Sequence, residues 1–229
     1  MSSMKYFYSA AVMGYGSGRF WHSIFNFPDF PRVTKTITFH SRIGIPFAVI
    51  KYRNSVWNHV SLHNIGFYKF FSAIDVDNVD NITVSLAGFD HEIGHMVDIL
   101  NNSDILFGGV ELNFSCPNVK SYRNRDIPKS KYPLYLKLNY LQDPYEYDLA
   151  NVEGIRLNSI PTSFGGLSGE AAREKNWAFI EKFNKEGLNI AGCSATEGGH
   201  LYMLKELGCT EVGIGSTILT NPKLVEGLQ

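Results

Sequence analysis

The 229-residue chain has little cysteine, no long apolar run and no excess of charge. Its three cysteines, Cys116, Cys193 and Cys209, are odd in number and form no Cys-x-x-Cys pair. That excludes a disulfide framework and points to a reducing compartment. No stretch of about 18 apolar residues occurs, so no helical membrane span is expected. The opening residues, Met1-Ser2-Ser3-Met4-Lys5-Tyr6, lack the apolar core of a signal peptide. With a net charge of −1 and scattered basic residues, no global field recruits nucleic acid or an anionic membrane. The densest basic group, residues 120–131, reads as a solvated loop. No low-complexity stretch or Pro/Gly/Ser linker divides the chain, so a single domain over residues 1–229 is expected. These absences together describe a soluble, cytoplasmic protein with neither a nucleic-acid nor a membrane partner.

What is present begins with Glu111-Leu112-Asn113-Phe114-Ser115-Cys116-Pro117-Asn118. An apolar, β-favouring run stops at a cysteine, a proline and two flanking asparagines. Proline cannot continue a central strand because it has no N–H for the ladder. Cys116 is therefore expected where a strand ends, with Asn113 and Asn118 supplying amide donors and acceptors. A thiol among amides suits proton removal from a flat, polar substrate. A small buried thiol beside a turn is the plainer alternative.

Eight short apolar runs recur along the chain, at residues 6–12, 32–38, 82–87, 109–114, 134–138, 154–158, 189–193 and 211–216. Helical spacing of apolar residues marks 64–72, 90–101, 170–185, 197–207 and 222–227. Strands alternating with helices predict an α/β fold, a parallel (β/α)8 barrel. Such barrels usually take about 250 residues. The shortfall falls between Asn118 and Tyr132 and between Tyr140 and Val152, where full helices do not fit. A barrel trimmed around its fourth and fifth βα units is expected. An open doubly wound sheet is the structural alternative.

Chemistry in a parallel barrel gathers at the C-terminal strand ends. Those ends offer Thr34-Lys35-Thr36, then Asn113 and Cys116, then Lys137 alone in an apolar strand, then Asn158-Ser159. Two lysines at one mouth would suit an anionic or electron-rich ligand; the plainer reading is a pair of snorkelling stems. Gly192-Cys193-Ser194-Ala195 and Gly213-Ile214-Gly215-Ser216-Thr217 look like a phosphate cradle, where small residues admit close backbone approach. Phe164-Gly165-Gly166-Leu167-Ser168-Gly169 reads either as more such backbone or as a flexible turn. A competing motif, His91-Glu92-Ile93-Gly94-His95, fits the His-Glu-x-x-His zinc hydrolase pattern. Its helix follows the third strand, so in a barrel it packs outside, far from the strand ends.

These residues resemble dihydroorotate dehydrogenase, in order and over nearly the whole chain. Ala10-Ala11-Val12-Met13-Gly14-Tyr15-Gly16 resembles the family's first loop, and Val33-Thr34-Lys35-Thr36-Ile37-Thr38 its Thr-Lys-Ser/Thr strand. Asn58-His59-Val60-Ser61-Leu62-His63-Asn64-Ile65-Gly66 is similar to its substrate loop, and Ser85-Leu86-Ala87-Gly88 to its third strand. Glu111 to Asn118 is close to its Glu-Leu-Asn-x-Ser-Cys-Pro-Asn. Phe164 to Gly169 resembles its Gly-Gly-Leu-Ser-Gly, and Ile214-Gly215-Ser216 with Asn221-Pro222 its phosphate-binding end.

The resemblance implies an FMN-dependent barrel that oxidises dihydroorotate to orotate in pyrimidine (UMP) biosynthesis. Cys116 would remove the C5 proton, and hydride would pass from C6 to FMN N5. Lys137 would stabilise charge near flavin N1. Lys35, Asn58, Val60, Ser61, Leu62, Asn113, Asn118, Asn158 and Ser159 would surround the substrate. Ala10, Ala11, Lys35, Thr36, Asn113, Lys137, Gly165, Gly166, Gly192, Ser194, Ala195, Gly215 and Ser216 would surround FMN. No metal is implied. A cysteine base resembles the soluble, typically homodimeric classes; fumarate, nicotinamide through a partner flavoprotein, or another oxidant would serve as electron acceptor. The chain also departs from the family. Ser194-Ala195 stands in place of a Gly-Gly pair, Ser61 replaces a glycine, and the loop after Asn118 is short. A divergent flavin barrel with another pyrimidine-like substrate, or with no catalytic activity, is the alternative these departures favour.

Overall fold

The computed structural model describes residues 4–15, 24–45, 48–74, 79–116 and 126–228; Gly16, Asn118 and the basic residues 120–125 lie outside these. Its centre is a parallel sheet of seven named strands. In spatial order these are β11 (Glu211–Ile214), β1 (Lys5–Tyr8), β2 (Arg32–Val33), β5 (Ile82–Leu86), β6 (Gly109–Asn113), β7 (Leu134–Leu138) and β8 (Gly154–Leu157). The segment 190–192 closes the ring. Ile190 bridges Ile155 of β8, and Gly192 bridges Val212 of β11, both in parallel. The Ala191 N–H donates to the Ile155 carbonyl at 2.8 Å, and the Gly213 N–H to the Gly192 carbonyl at 2.8 Å. Seven of the eight expected strands, with the bridged segment 190–192 in place of the remaining one, thus form a barrel rather than an open sheet.

Strand alternation sorts the side chains by chemistry. Val84, Leu86, Val110, Leu112, Leu136, Leu138, Ile155 and Val212 are buried in one apolar cluster with the helices. α2 (Asp90–Asn101) contributes Ile93, Met96, Val97 and Leu100, spaced along one face. α3 (Glu170–Lys185) buries Ala172, Phe179, Ile180 and Phe183, with Lys182 and Lys185 in its last turn, where the helix dipole favours cations. α4 (Gly198–Glu206) covers the seventh strand; a Cβ on Gly192 would stand 3.1 Å from the Leu204 side chain. α1 (Phe67–Ala73) follows the second strand, and α5 (Thr217–Thr220) and α6 (Pro222–Glu226) follow the eighth.

In the fifth unit the trimming falls where the residue count placed it; most of the connection in the fourth lies outside the described residues. After β7 there is one 3-10 turn, Pro144–Glu146, and among the described residues between β6 and β7 there is no helix. Single aromatic residues cover the wall instead. Tyr132 donates its hydroxyl to the carbonyls of Leu100 at 2.9 Å and Ile105 at 2.6 Å, and Tyr147 packs its ring 5.7 Å from that of Phe114.

A second sheet was not expected. Four antiparallel strands, β3 (Val49–Tyr52), β4 (Ser55–Asn58), β10 (Gly165–Gly169) and β9 (Ile160–Thr162), run in the order β3-β4-β10-β9. The glycine cluster read as a turn or a cradle is strand β10, and it pairs with β4 from Gly166 opposite Asn58 to Gly169 opposite Ser55. The pairing is close. A Cβ on Gly165 would lie 2.2 Å from the Asn58 carbonyl oxygen, and one on Gly169 would lie 2.3 Å from that of Asn54. Among the described residues no helix is long and apolar enough to cross a membrane.

Leu136 is fully buried in the barrel wall. Leu136→Ala should lower the unfolding free energy by about 2–5 kcal/mol, read from the urea midpoint. A loss below about 1 kcal/mol would mean that the wall is loosely packed here.

Candidate active site

The C-terminal strand ends and the antiparallel sheet enclose a cavity of about 450 Å3. That is within the usual range for a small-molecule or cofactor site. Its wall includes Ala10 and Ala11 after β1, and Lys35 and Thr36 after β2. Asn58, Val60 and Leu62 come from the antiparallel sheet and its following loop. Asn113 and Cys116 end the fourth barrel strand, Lys137 stands on the fifth, and Asn158 and Ser159 follow the sixth. Ser194, Gly215 and Ser216 close the side made by the seventh and eighth strands.

Five expected site residues stand off this wall. Gly165 and Gly166 are occupied in pairing β10 to β4 and β9. Ser61 lies between two wall residues without joining them. Gly192 turns toward α4, and Ala195 is buried in the apolar core. Asn118 lies outside the described residues. Pattern reading also missed several wall residues, notably Ser9, Asn176 and Cys193. Asn176 is invisible in sequence because it sits on the core stripe of α3, where an apolar residue fits the spacing.

Inside the barrel, below the cavity, the layer is polar. Glu111 is 1 % exposed and accepts from the Ser85 hydroxyl at 2.8 Å and from Lys137 Nζ at 3.3 Å. Arg156 NH1 stands 3.7 Å from its other oxygen. From Ser85 the network rises to the cavity. The hydroxyls of Ser85 and Thr36 lie 2.9 Å apart, and Asn113 donates its amide to Thr36 Oγ1 at 3.0 Å. Asn158 donates to the Ser115 carbonyl at 3.2 Å, and Asn58 to Ser159 Oγ at 3.3 Å. The amides facing the cavity are thereby held by neighbours before any ligand arrives, which is preorganisation. The wall carries two lysines and, among the described residues, no carboxylate. Such a site favours electron-rich or anionic ligands.

Two cysteines face this cavity in different settings. Cys116 is partly exposed and packs against Leu62 and Ala87. Cys193 has its thiol pushed up to about 11 by burial, although hydrogen bonds from Ser194 and Asn176 act the other way. It therefore stays protonated at neutral pH and makes a poor base. The side-chain oxygen of Asn176 is buried and has no hydrogen-bond partner among the described residues, which leaves it for a ligand donor.

The rim is strained. Ala11, Ser61, Leu62 and Ser194 all hold left-handed backbone, with φ of 72°, 53°, 55° and 60°. For residues with a Cβ this costs about 1–2 kcal/mol each. Strain of this kind gathers at functional sites. Ser61 and Ser194 are two of the three positions, with Ala195, where the resemblance led us to expect glycine.

The zinc-like motif lies elsewhere. Glu92 accepts from the Phe89 N–H at 2.9 Å and so caps its own helix, while His95 Nε2 meets the Tyr68 hydroxyl at 3.3 Å. Both belong to α2, outside the barrel, and no group of three or more ligating side chains suited to a metal occurs among the described residues.

No family model matches the chain, and no curated protein matches it. Solved structures do. The ligand-free DHODH of Eimeria tenella superposes with a TM-score of 0.68 at 14 % identity, over 85 % of this chain and 74 % of that one. The DHODH of Eimeria tenella in complex with ferulenol gives 0.71 at 13 % identity, over 96 % and 78 %. The likeness is one of fold. Both structures share the α/β barrel fold of this chain.

Glu111→Gln should cost about 3–5 kcal/mol of stability, because Lys137 and Arg156 then share a buried site with no charge between them. Denaturant unfolding checks this, and a loss below about 1 kcal/mol would show that the pairs do not hold the layer together. Glu211 behaves in the opposite sense. Burial raises its carboxyl above the ordinary 4.5, against the pull of Arg156. The folded state thus keeps that proton longer than the unfolded chain, and stability falls as pH rises from 4.5 through the raised value. Glu211→Gln removes that fall, so its stability relative to wild type should improve between about pH 4 and about pH 7. Unfolding midpoints at the two pH values read the difference.

Proposed function

We propose that this protein is an FMN-dependent oxidoreductase that converts dihydroorotate to orotate in pyrimidine biosynthesis, with Cys116 as the base. The observation that carries the reading is the convergence of Cys116, Lys35 and Lys137 with the amides of Asn58, Asn113 and Asn158 on one cavity. A dihydropyrimidine carboxylate offers ring N–H donors, carbonyl acceptors and one negative charge. Asparagine amides match the first two, and a wall with two lysines and, among the described residues, no carboxylate matches the third.

The residues present fit FMN. Lys35, Thr36, Asn113 and Lys137 would hold its ring, and Ser194, Gly215 and Ser216, with the unpartnered Asn176 oxygen, would take the ribityl and phosphate end. FMN when bound supplies, at N5, an acceptor for the hydride that leaves C6. Cys116 takes the C5 proton, which leaves the electron pair of that bond to form the C5=C6 double bond. Leu62 and Ala87 pack on the thiol and limit water around it. Lys137, held by Glu111, would supply a positive charge to the ring of a bound flavin. A second reading, a flavin barrel without dihydroorotate turnover, draws on Ser194, whose side chain occupies wall space that a glycine would leave open.

The test is an absorbance spectrum after reconstitution with FMN, before and after anaerobic dihydroorotate. A flavin band that bleaches supports the reading, and fumarate is the first acceptor to try for reoxidation. A band that stays oxidised moves the protein to the second reading. No bound flavin removes both. Cys116→Ser should keep FMN and lose about 100-fold or more in turnover; unchanged turnover would remove Cys116 as the base.

A further inference from the structure

Arg156 is a buried cation that the proposed function does not use. It is 6 % exposed, inside the barrel, in register with Lys137 on the adjacent strand. Its guanidinium carbon lies 4.1 Å from the Phe7 ring centroid and 3.7 Å from that of Tyr135. Two aromatic faces therefore hold the plane, which cation–π attraction favours. Glu111 and Glu211 stand 3.7 Å from NH1 and Nε, close enough for charge pairing and too far for good hydrogen bonds. Both nitrogens lack a hydrogen-bond acceptor among the described residues.

Those nitrogens border a void. A space of about 20 Å3, room for about one water, is lined by Arg156, Glu111 and Lys137. It shares Ser9, Lys137, Leu157, Cys193 and Gly213 with the wall of the main cavity. The void thus adjoins the cavity floor, and Arg156 lines the void without lining the cavity. Glu111 is shared between Lys137 and Arg156, so the positive charge of Arg156 is answered in part by Glu111 and in part by Glu211, which is partly exposed.

We propose that Arg156 is a second floor cation, a positioning residue that acts through the small void to favour ligands whose planar ring carries negative charge. Where the ligand is FMN, which rests on the reading above, Arg156 raises its reduction potential, because the reduced ring is the more negative form. One unit charge acting over about 10 Å at an effective dielectric near 20 changes such a preference by about tenfold.

The experiment compares wild type, Arg156→Met, Arg156→Lys and Glu211→Gln, each first checked for folding by thermal melt. With FMN bound, dye-equilibrium titration reads the midpoint potential. Arg156→Met should lower it, Arg156→Lys should restore it, and Glu211→Gln should raise it. An unchanged potential in Arg156→Met and Glu211→Gln overturns the proposal. Where Arg156→Met does not fold, Glu211→Gln and Arg156→Lys decide, since the first must still raise the potential and the second leave it near wild type. Where wild type takes no FMN, the flavin reading fails by itself. Calorimetry with benzoate and its neutral isostere benzamide then decides. Weakening of benzoate alone by about tenfold in Arg156→Met supports the second cation. Equal effects on both, or no binding of either, overturn it.

Discussion

One carboxylate organises the interior of this barrel. Glu111 sits where most such barrels place branched apolar side chains, and it is tied to a serine, a lysine and an arginine from three neighbouring strands. An unpaired carboxylate at this depth would be costly, and so would either cation without it. The strands are therefore held in one register by charge as well as by backbone hydrogen bonds. The same ties set the height and direction of Lys137, and through Ser85 and Thr36 they set the amide of Asn113. Structural support and site chemistry are here one network.

Around that network the fold is economical. Among the described residues no helix follows β6 and only one 3-10 turn follows β7, and Tyr132, hydrogen-bonded to two carbonyls, and Tyr147, packed on Phe114, cover the wall there. The space gained at the mouth is roofed by an antiparallel sheet whose third strand is a run of glycine and small residues. Two backbones approach there more closely than side chains would permit. The roof in turn leans on the barrel: the Glu170 N–H donates to the Asn54 carbonyl at 3.0 Å, joining the hairpin tip to the start of α3.

The barrel strands were legible because each is a short apolar run between turn residues, and α2 and α3 because their apolar residues recur at helical spacing. The roof was not. Its first hairpin turns at Arg53-Asn54, without the glycine that usually signals a two-residue turn, and Arg53 takes φ of 52° unassisted. Its other half looks like loop composition, and only pairing turns it into a strand. Most of the expected wall residues meet on one cavity, because the end of a parallel strand is a place that sequence can mark. Arg156 was missed for the reverse reason. A lone charge in a strand does not announce whether it points to solvent or inward, and only the opposing carboxylates decide. Ser61 and Ser194 were flagged as departures, and both hold the left-handed backbone that glycine adopts freely and a residue with a Cβ does not.

The way the ring closes has a consequence for how the chain is made. β1 pairs along its whole length with β11, Lys5 opposite Glu211, and the segment 190–192 that closes the ring is held by isolated bridges. A ribosome releases the first strand long before its partner exists. Until the last strand emerges, β1 has an open edge and the polar layer lacks Glu211. Contacts of such sequence separation are slow to form and leave unpaired edges exposed meanwhile. Until then the inner face of the wall carries Glu111, Lys137 and Arg156, so it presents charge as well as apolar surface.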